Sequence, residues 1–168
     1  MASIQFLSAE RGESIAVVRR LFTEYASSLD FDLCFQDFDK ELSGLPGPYA
    51  RPDGRLIVAM DGGKAAGCVA LRKLEEGVCE MKRLYVKPDH RGKGIGRKLV
   101  NAILDEAKKI GYAKMRLDTI SSMSEAIELY ESVGFHEIEA YRPNPIEGAV
   151  FFELDLKSPR GDDEEAGS

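Results

Sequence analysis

Six consecutive residues, Arg91-Gly92-Lys93-Gly94-Ile95-Gly96, constrain this chain more than any others. They follow an apolar segment, Leu84-Tyr85-Val86, and open a long amphipathic pattern over 94–110. A strand feeding a glycine-rich turn and then a helix is a β–α unit, and it calls for a sheet with helices packed on it. Glycines at the mouth of a helix let backbone N–H groups approach a ligand closely. The first helical turn also carries unpaired N–H groups and a partial positive charge. Arg91, Lys93, Arg97 and Lys98 add full charges at the same point. Together these residues make a cradle suited to a phosphate or pyrophosphate.

The spacing narrows the choice of cradle. G-x-G-x-G is not the dinucleotide pattern G-x-G-x-x-G, and Lys98 is followed by Leu99 rather than the Ser or Thr that a Walker loop needs. Around the loop, periodicity and turn residues predict the element order β-α-α-β-β-β-α-β-α-β-β. The expected strands are 4–7, 55–60, 65–74, 78–86, 115–119, 135–138 and 149–156. The expected helices are 13–29, 37–42, 94–110 and 124–133. Asp61-Gly62-Gly63-Lys64 reads as a hairpin turn, and Gly111 and Gly134 as helix stops. The expected fold class is therefore α/β, with a central mixed sheet and helices on both faces. One domain over 1–157 is expected, with 158–168 as an acidic disordered tail. That tail sets Arg160 against Asp162, Asp163, Glu164 and Glu165 and has no apolar anchor. Removing 158–168 is expected to leave the melting temperature and ligand affinity unchanged. A drop of several degrees in the melting curve would show instead that the tail docks on the body.

The stretch Val86-Lys87-Pro88-Asp89-His90-Arg91-Gly92-Lys93-Gly94-Ile95-Gly96 resembles the R-x-x-G-x-G loop of the GNAT superfamily of acyl-CoA-dependent N-acetyltransferases. A second stretch, Ala126-Ile127-Glu128-Leu129-Tyr130-Glu131-Ser132-Val133-Gly134-Phe135, resembles that family's A-x-x-L-Y-x-x-x-G-F pattern at the expected distance. Two such motifs in the right order and context are far more specific than one. The resemblance spans nearly the whole chain, roughly 4–157. It implies acetyl-CoA as cosubstrate, held by Leu84, Tyr85, Val86, Arg91, Gly92, Lys93, Gly94, Ile95, Gly96 and Arg97. In the family, the strand before the loop supplies a backbone donor to the thioester oxygen and pairs with the pantetheine arm.

Acetyl transfer to an amine has stated chemical needs. The attacking amine must be neutral and the thiolate must leave. An α-amine with a pKa near ~8 is roughly a tenth neutral at pH 7, whereas a lysine-type amine near ~10.4 is neutral about once in several thousand molecules. By resemblance Tyr130 is the acid that protonates the departing thiolate. The competing reading is a core tyrosine packed on Phe135 with its hydroxyl bonded elsewhere. Glu80, on the strand that leads to the cradle, is the candidate base. Its competing reading is a structural ion pair with Lys82 or Arg83. Plain alternation sets Glu80, Lys82, Leu84 and Val86 on one face, unless a bulge shifts the parity.

The acceptor side carries weaker signals. Phe35, Gln36 and Tyr49 lie in segments that vary in the family and that bind the acceptor. Arg142 and Asn144 lie in a proline-stiffened loop between the last two strands and are candidates for holding a carboxylate and an amide or amine. The expected reaction is acetylation of a primary amine on a small metabolite. A protein N-terminus or lysine as acceptor, or a non-catalytic acyl-CoA-binding module, are the alternatives.

Charge and cysteine usage exclude other classes. A net charge of −6 over 168 residues argues against a nucleic-acid partner. Cys34, Cys68 and Cys79 are odd in number and lack a C-x-x-C spacing, and His90 and His136 stand apart, so no disulfide framework or metal site is expected. No run is apolar enough to span a bilayer and no signal peptide is recognisable, so a cytoplasmic enzyme without a membrane partner is the expectation. A homodimer is compatible with the chain.

Overall fold

The computed structural model describes residues 4–29 and 38–156. Phe35, Gln36, Cys34 and the tail over 158–168 lie outside the described residues. The element order is the one expected: β1 (Ile4–Ser8), α1 (Glu13–Ser27), α2 (Phe38–Ser43), β2 (Arg55–Asp61), β3 (Lys64–Glu75), β4 (Val78–Val86), α3 (Ile95–Ile110), β5 (Lys114–Ile120), α4 (Ser124–Ser132), β6 (His136–Ile138) and β7 (Ala149–Asp155). Boundaries differ from expectation by one or two residues, which is ordinary fraying.

Seven strands form one mixed sheet in the order β1-β2-β3-β4-β5-β7-β6. The β4–β5 pair is parallel, and the other described pairs are antiparallel. Each face has its own apolar cluster. Leu99, Ile103 and Ala107 of α3 and Tyr130 of α4 pack with Val69, Leu71, Cys79 and Met81. Val18, Leu21 and Phe22 of α1 pack with Leu56, Val58, Cys68 and Tyr85 on the opposite face. Helix α3 places Ile95, Leu99, Ile103 and Ala107 on one stripe, the 3.6-residue period that an amphipathic helix requires.

Two irregularities in the middle of the sheet position the site. The ladder between β4 and β5 covers Val78↔Lys114, Cys79↔Met115 and Glu80↔Arg116, and then stops. Beyond that point the two strands diverge, and the edge of β4 from Met81 onward faces a cleft instead of a neighbour. The second irregularity is a bulge. Between Cys68 and Ala70 of β3, the opposing strand runs from Tyr85 to Lys82, one residue more. Arg83 takes up the extra residue with φ 62, in the left-handed region. That conformation costs a non-glycine residue of order 1–3 kcal/mol and persists when its surroundings hold it. The holding contact is a two-point ion pair to Glu41 of α2, at 3.0 Å from Nε and 2.8 Å from the guanidinium NH2. Both side chains are buried or nearly so.

The bulge corrects the alternation expected from sequence. Cys79 and Met81 face α3 and α4 before it, and Leu84 and Val86 face the same way after it. Glu80 and Lys82 therefore do not share a face with Leu84 and Val86. Tyr85 is turned into the α1 cluster, stacked edge-on against Tyr25 with ring centroids 6.0 Å apart.

Candidate active site

Three cavities run in series across the bulged strand. The first lies at the N-terminus of α3 and is lined by Leu84, Val86, Arg91, Gly92, Gly94 and Gly96, among others. Gly92 and Gly94 have φ of 82 and 78, and a Cβ placed on either meets nothing within 4 Å. The loop thus presents bare backbone to open space at a helix start that no side chain caps. This is the arrangement that accepts a phosphate. Arg91 fixes the loop to the strand by donating from Nε to the Val86 carbonyl at 3.0 Å. Arg97 is engaged elsewhere, donating to Ser132 Oγ of α4 at 2.8 Å. Lys93 is exposed. Ile95 is buried in the core beneath the loop.

The second cavity is the cleft where β4 and β5 part. It shares Leu84 and Ala126 with the first and is lined further by Met81, Lys82, Asp118 and Tyr130. Tyr130 is 7% exposed and packs edge-on against Phe135 at 5.9 Å. Its hydroxyl has no hydrogen-bond partner among the described residues, contrary to what the core-tyrosine reading requires. Burial, followed by the nearby Tyr25 and Asp118, pushes the phenol pKa well up, so the proton stays on oxygen. Asn144 lies in this same cleft and donates to Asp118 Oδ2 at 3.1 Å, while its own Oδ1 accepts from the Ile146 N–H.

The third cavity, of about 380 Å³, opens on the far side of β4. Its walls come from α2, from the turn carrying Tyr49, and from Arg72, Lys82, Arg83 and Arg142. Lys82 and Arg83 also line the cleft, so these residues are the shared wall. Burial, reinforced by neighbouring Arg83, lowers the Lys82 pKa to about 8. Tyr49 is buried against Phe22, with ring centroids 6.1 Å apart.

Glu80 sits beneath this pocket with a side chain that is 0% exposed. Its ion-pair partners are Arg72, at 3.0 Å, and Arg142; they are not Lys82 or Arg83. Tyr141 also donates its hydroxyl to Glu80 Oε2 at 2.7 Å. Both carboxylate oxygens are thus already bonded. Arg142 and Asn144, two residues apart, serve different cavities: Arg142 the third and Asn144 the second. Sequence reasoning singled out neither Asp118 nor Arg72 as a site residue. Arg72 was recoverable, because a β3–β4 hairpin turning at 75–77 sets it opposite Glu80.

The profile of the acetyltransferase (GNAT) family matches residues 15–135. The chain belongs to the GNAT family and is an acyl-CoA-dependent N-acetyltransferase. It is 41% identical over 140 residues to an uncharacterized N-acetyltransferase of Schizosaccharomyces pombe, covering 82% of this chain and 86% of the relative. Its fold is similar to that of a GNAT-family acetyltransferase of Staphylococcus aureus, with a TM-score of 0.75, 21% identity and coverage of 92% and 100%. A Salmonella typhimurium structure described with its cofactor acetyl-CoA is also similar in fold, with a TM-score of 0.66, 20% identity and coverage of 94% and 95%.

Proposed function

We propose that this enzyme moves an acetyl group from acetyl-CoA to the primary amine of a small metabolite by direct attack. The observation that carries the reading is the succession of three adjoining cavities, with Tyr130 in the middle one. The glycine loop and the start of α3 hold the pyrophosphate through backbone N–H groups, and Arg91 keeps the loop in place. The unpaired edge of β4 beyond Glu80 offers main-chain donors and acceptors to the pantetheine arm and a donor to the thioester oxygen. The acceptor enters through the third cavity, whose volume falls in the range of small-ligand sites. Its nitrogen attacks the thioester carbonyl, the C–S bond breaks, and Tyr130 gives its proton to the thiolate. The proton that the attacking nitrogen sheds as the amide forms returns to the phenolate through solvent, so the tyrosine is restored and the products are the N-acetyl amide and free coenzyme A thiol.

Within this reading Glu80 is an anchor for Arg72, Arg142 and Tyr141, and the proton on the incoming amine leaves through water. A non-catalytic binder would need the glycine loop alone, so the unpaired hydroxyl of Tyr130 favours the enzyme. The test is release of free thiol from acetyl-CoA with a panel of small amines and peptides. Turnover of small amines supports the reading, and turnover confined to peptides overturns it.

The loop itself is tested by Gly94→Val. A β-branched residue at φ 78 is strained, and its side chain would fill the space left for the phosphate. Calorimetry with acetyl-CoA is expected to show affinity falling at least tenfold, about 1.4 kcal/mol. Unchanged affinity in a folded variant would remove the loop from the cosubstrate site.

A further inference from the structure

The third cavity is strongly cationic in an acidic chain. Lys40, Arg72, Lys82, Arg83 and Arg142 line it, against the single carboxylate of Glu41. Glu41 is spent on Arg83, and Glu80 beneath the floor is shared between Arg72 and Arg142. Three positive charges are left over among the described residues of the pocket. Neither the Lys40 nor the Lys82 ammonium makes a hydrogen bond or ion pair with any described residue, although the Lys40 carbonyl accepts from Ser43 Oγ and the Gly44 N–H. Lys82 stands half-buried on the wall that the pocket shares with the cleft. Asp118 and Glu41 act on the Lys82 ammonium through their charge without bonding to it. A partly desolvated ammonium with no bonded counter-ion is costly, and part of that cost is recovered when an anion arrives. Across that wall lies the opposite charge, since Asp118 lines the cleft. A positive pocket on one side and a carboxylate on the other form a dipole along the acceptor's path.

We infer that the acceptor carries a carboxylate, seated in the pocket of Lys82, Lys40 and Arg142, with its amine pointing across β4 toward Asp118 and the thioester. This rests on the small-amine reading above and names its substrate class as amino acids and related amino-carboxylates. The same pocket repels polyamines and other multiply charged cations, because each extra positive charge would enter a field of its own sign. Burial and the neighbouring Arg83 lower the Lys82 pKa against the pull of Asp118 and Glu41, and a carboxylate seated beside it would raise it again.

The experiment compares kcat/KM for L-amino acids, for their C-terminal amides and for putrescine, and follows binding of the same compounds to the coenzyme A complex by calorimetry. The amides have the more often neutral amine, so chemistry alone favours them. The expected result is the reverse, with acids preferred at least tenfold over amides and putrescine inactive. Lys82→Met is expected to lower kcat/KM for acids at least tenfold, mainly through KM, and to leave amides within twofold. Lys40→Glu, a substitution at an exposed position of α2, is expected to reduce the acid preference several-fold without touching the core. Amides or putrescine used as well as acids would overturn the inference and leave the reaction standing. An equal loss for acids and amides in Lys82→Met would overturn it too. If no amine is acetylated but acids bind and Lys82→Met weakens them, the reaction falls and the carboxylate site stands. Absence of both turnover and acid binding would overturn both.

Discussion

Replacing Tyr130 by Phe is expected to lower kcat by about 10²–10⁴ while acetyl-CoA affinity stays nearly constant. The substitution removes one hydroxyl and keeps the ring that packs on Phe135. In the folded protein that hydroxyl has no partner among the described residues and faces the cleft between β4 and β5. Its loss should therefore cost little stability, because no buried hydrogen bond is broken. A merely structural tyrosine predicts the opposite pattern, a lower melting temperature with turnover preserved. Burial keeps the phenol protonated throughout the neutral range, so the wild-type profile should show no loss of the acid between pH 6 and 9. Near-wild-type turnover by Tyr130→Phe, with chemistry shown to be rate-limiting, would remove this residue from the mechanism.

Glu80→Gln is expected to act mainly on stability. It keeps the size of the side chain and deletes the charge that two guanidiniums share. Breaking a buried ion pair by removing one partner typically costs about 3–5 kcal/mol. Arg72 and Arg142 are each partly exposed and recover some hydration, so the lower end of that range is expected, read as a fall in the melting temperature. The acceptor KM should rise as Arg142 and Tyr141 lose their anchor, while acetyl-CoA affinity holds. If Glu80 were the base, kcat would collapse in a protein of normal stability, and the pH profile would lose its acidic limb.

Much of this architecture was legible from local pattern. The strand–loop–helix unit, the hairpin at Gly62-Gly63 and the second motif around Tyr130 each rest on glycine spacing or helical period, signals that survive in a single sequence. The bulge at Arg83 was not legible. Left-handed backbone is usually marked by Gly or Asn, and an arginine gives no such mark. Its conformation is imposed from outside by Glu41, 42 positions away in the chain. The misplaced parity of Glu80, Lys82, Leu84 and Val86 follows from that one residue. Arg142 was singled out from the sequence, but its pairing with Glu80 was not, because that contact depends on how a long loop folds back and no periodicity encodes such a return. Phe35 and Gln36 fall outside the described residues, so their expected part in acceptor binding stays a proposal.

The two ends of the cavity series are made of different material. The glycine loop, in the proposed reading, works through main chain, which most side-chain replacements leave intact. The third cavity, proposed above as the acceptor pocket, is assembled from side chains on α2, β3, β4 and the segment around Arg142, each reached separately by point mutation. If that reading holds, a drifting lineage can retune its choice of acceptor one charge at a time and keep the same acetyl donor. On the same reading, a directed-evolution library confined to Lys40, Lys82 and Arg142 would explore new amines, whereas variation at Gly92 or Gly94 would weaken the hold on the acetyl donor.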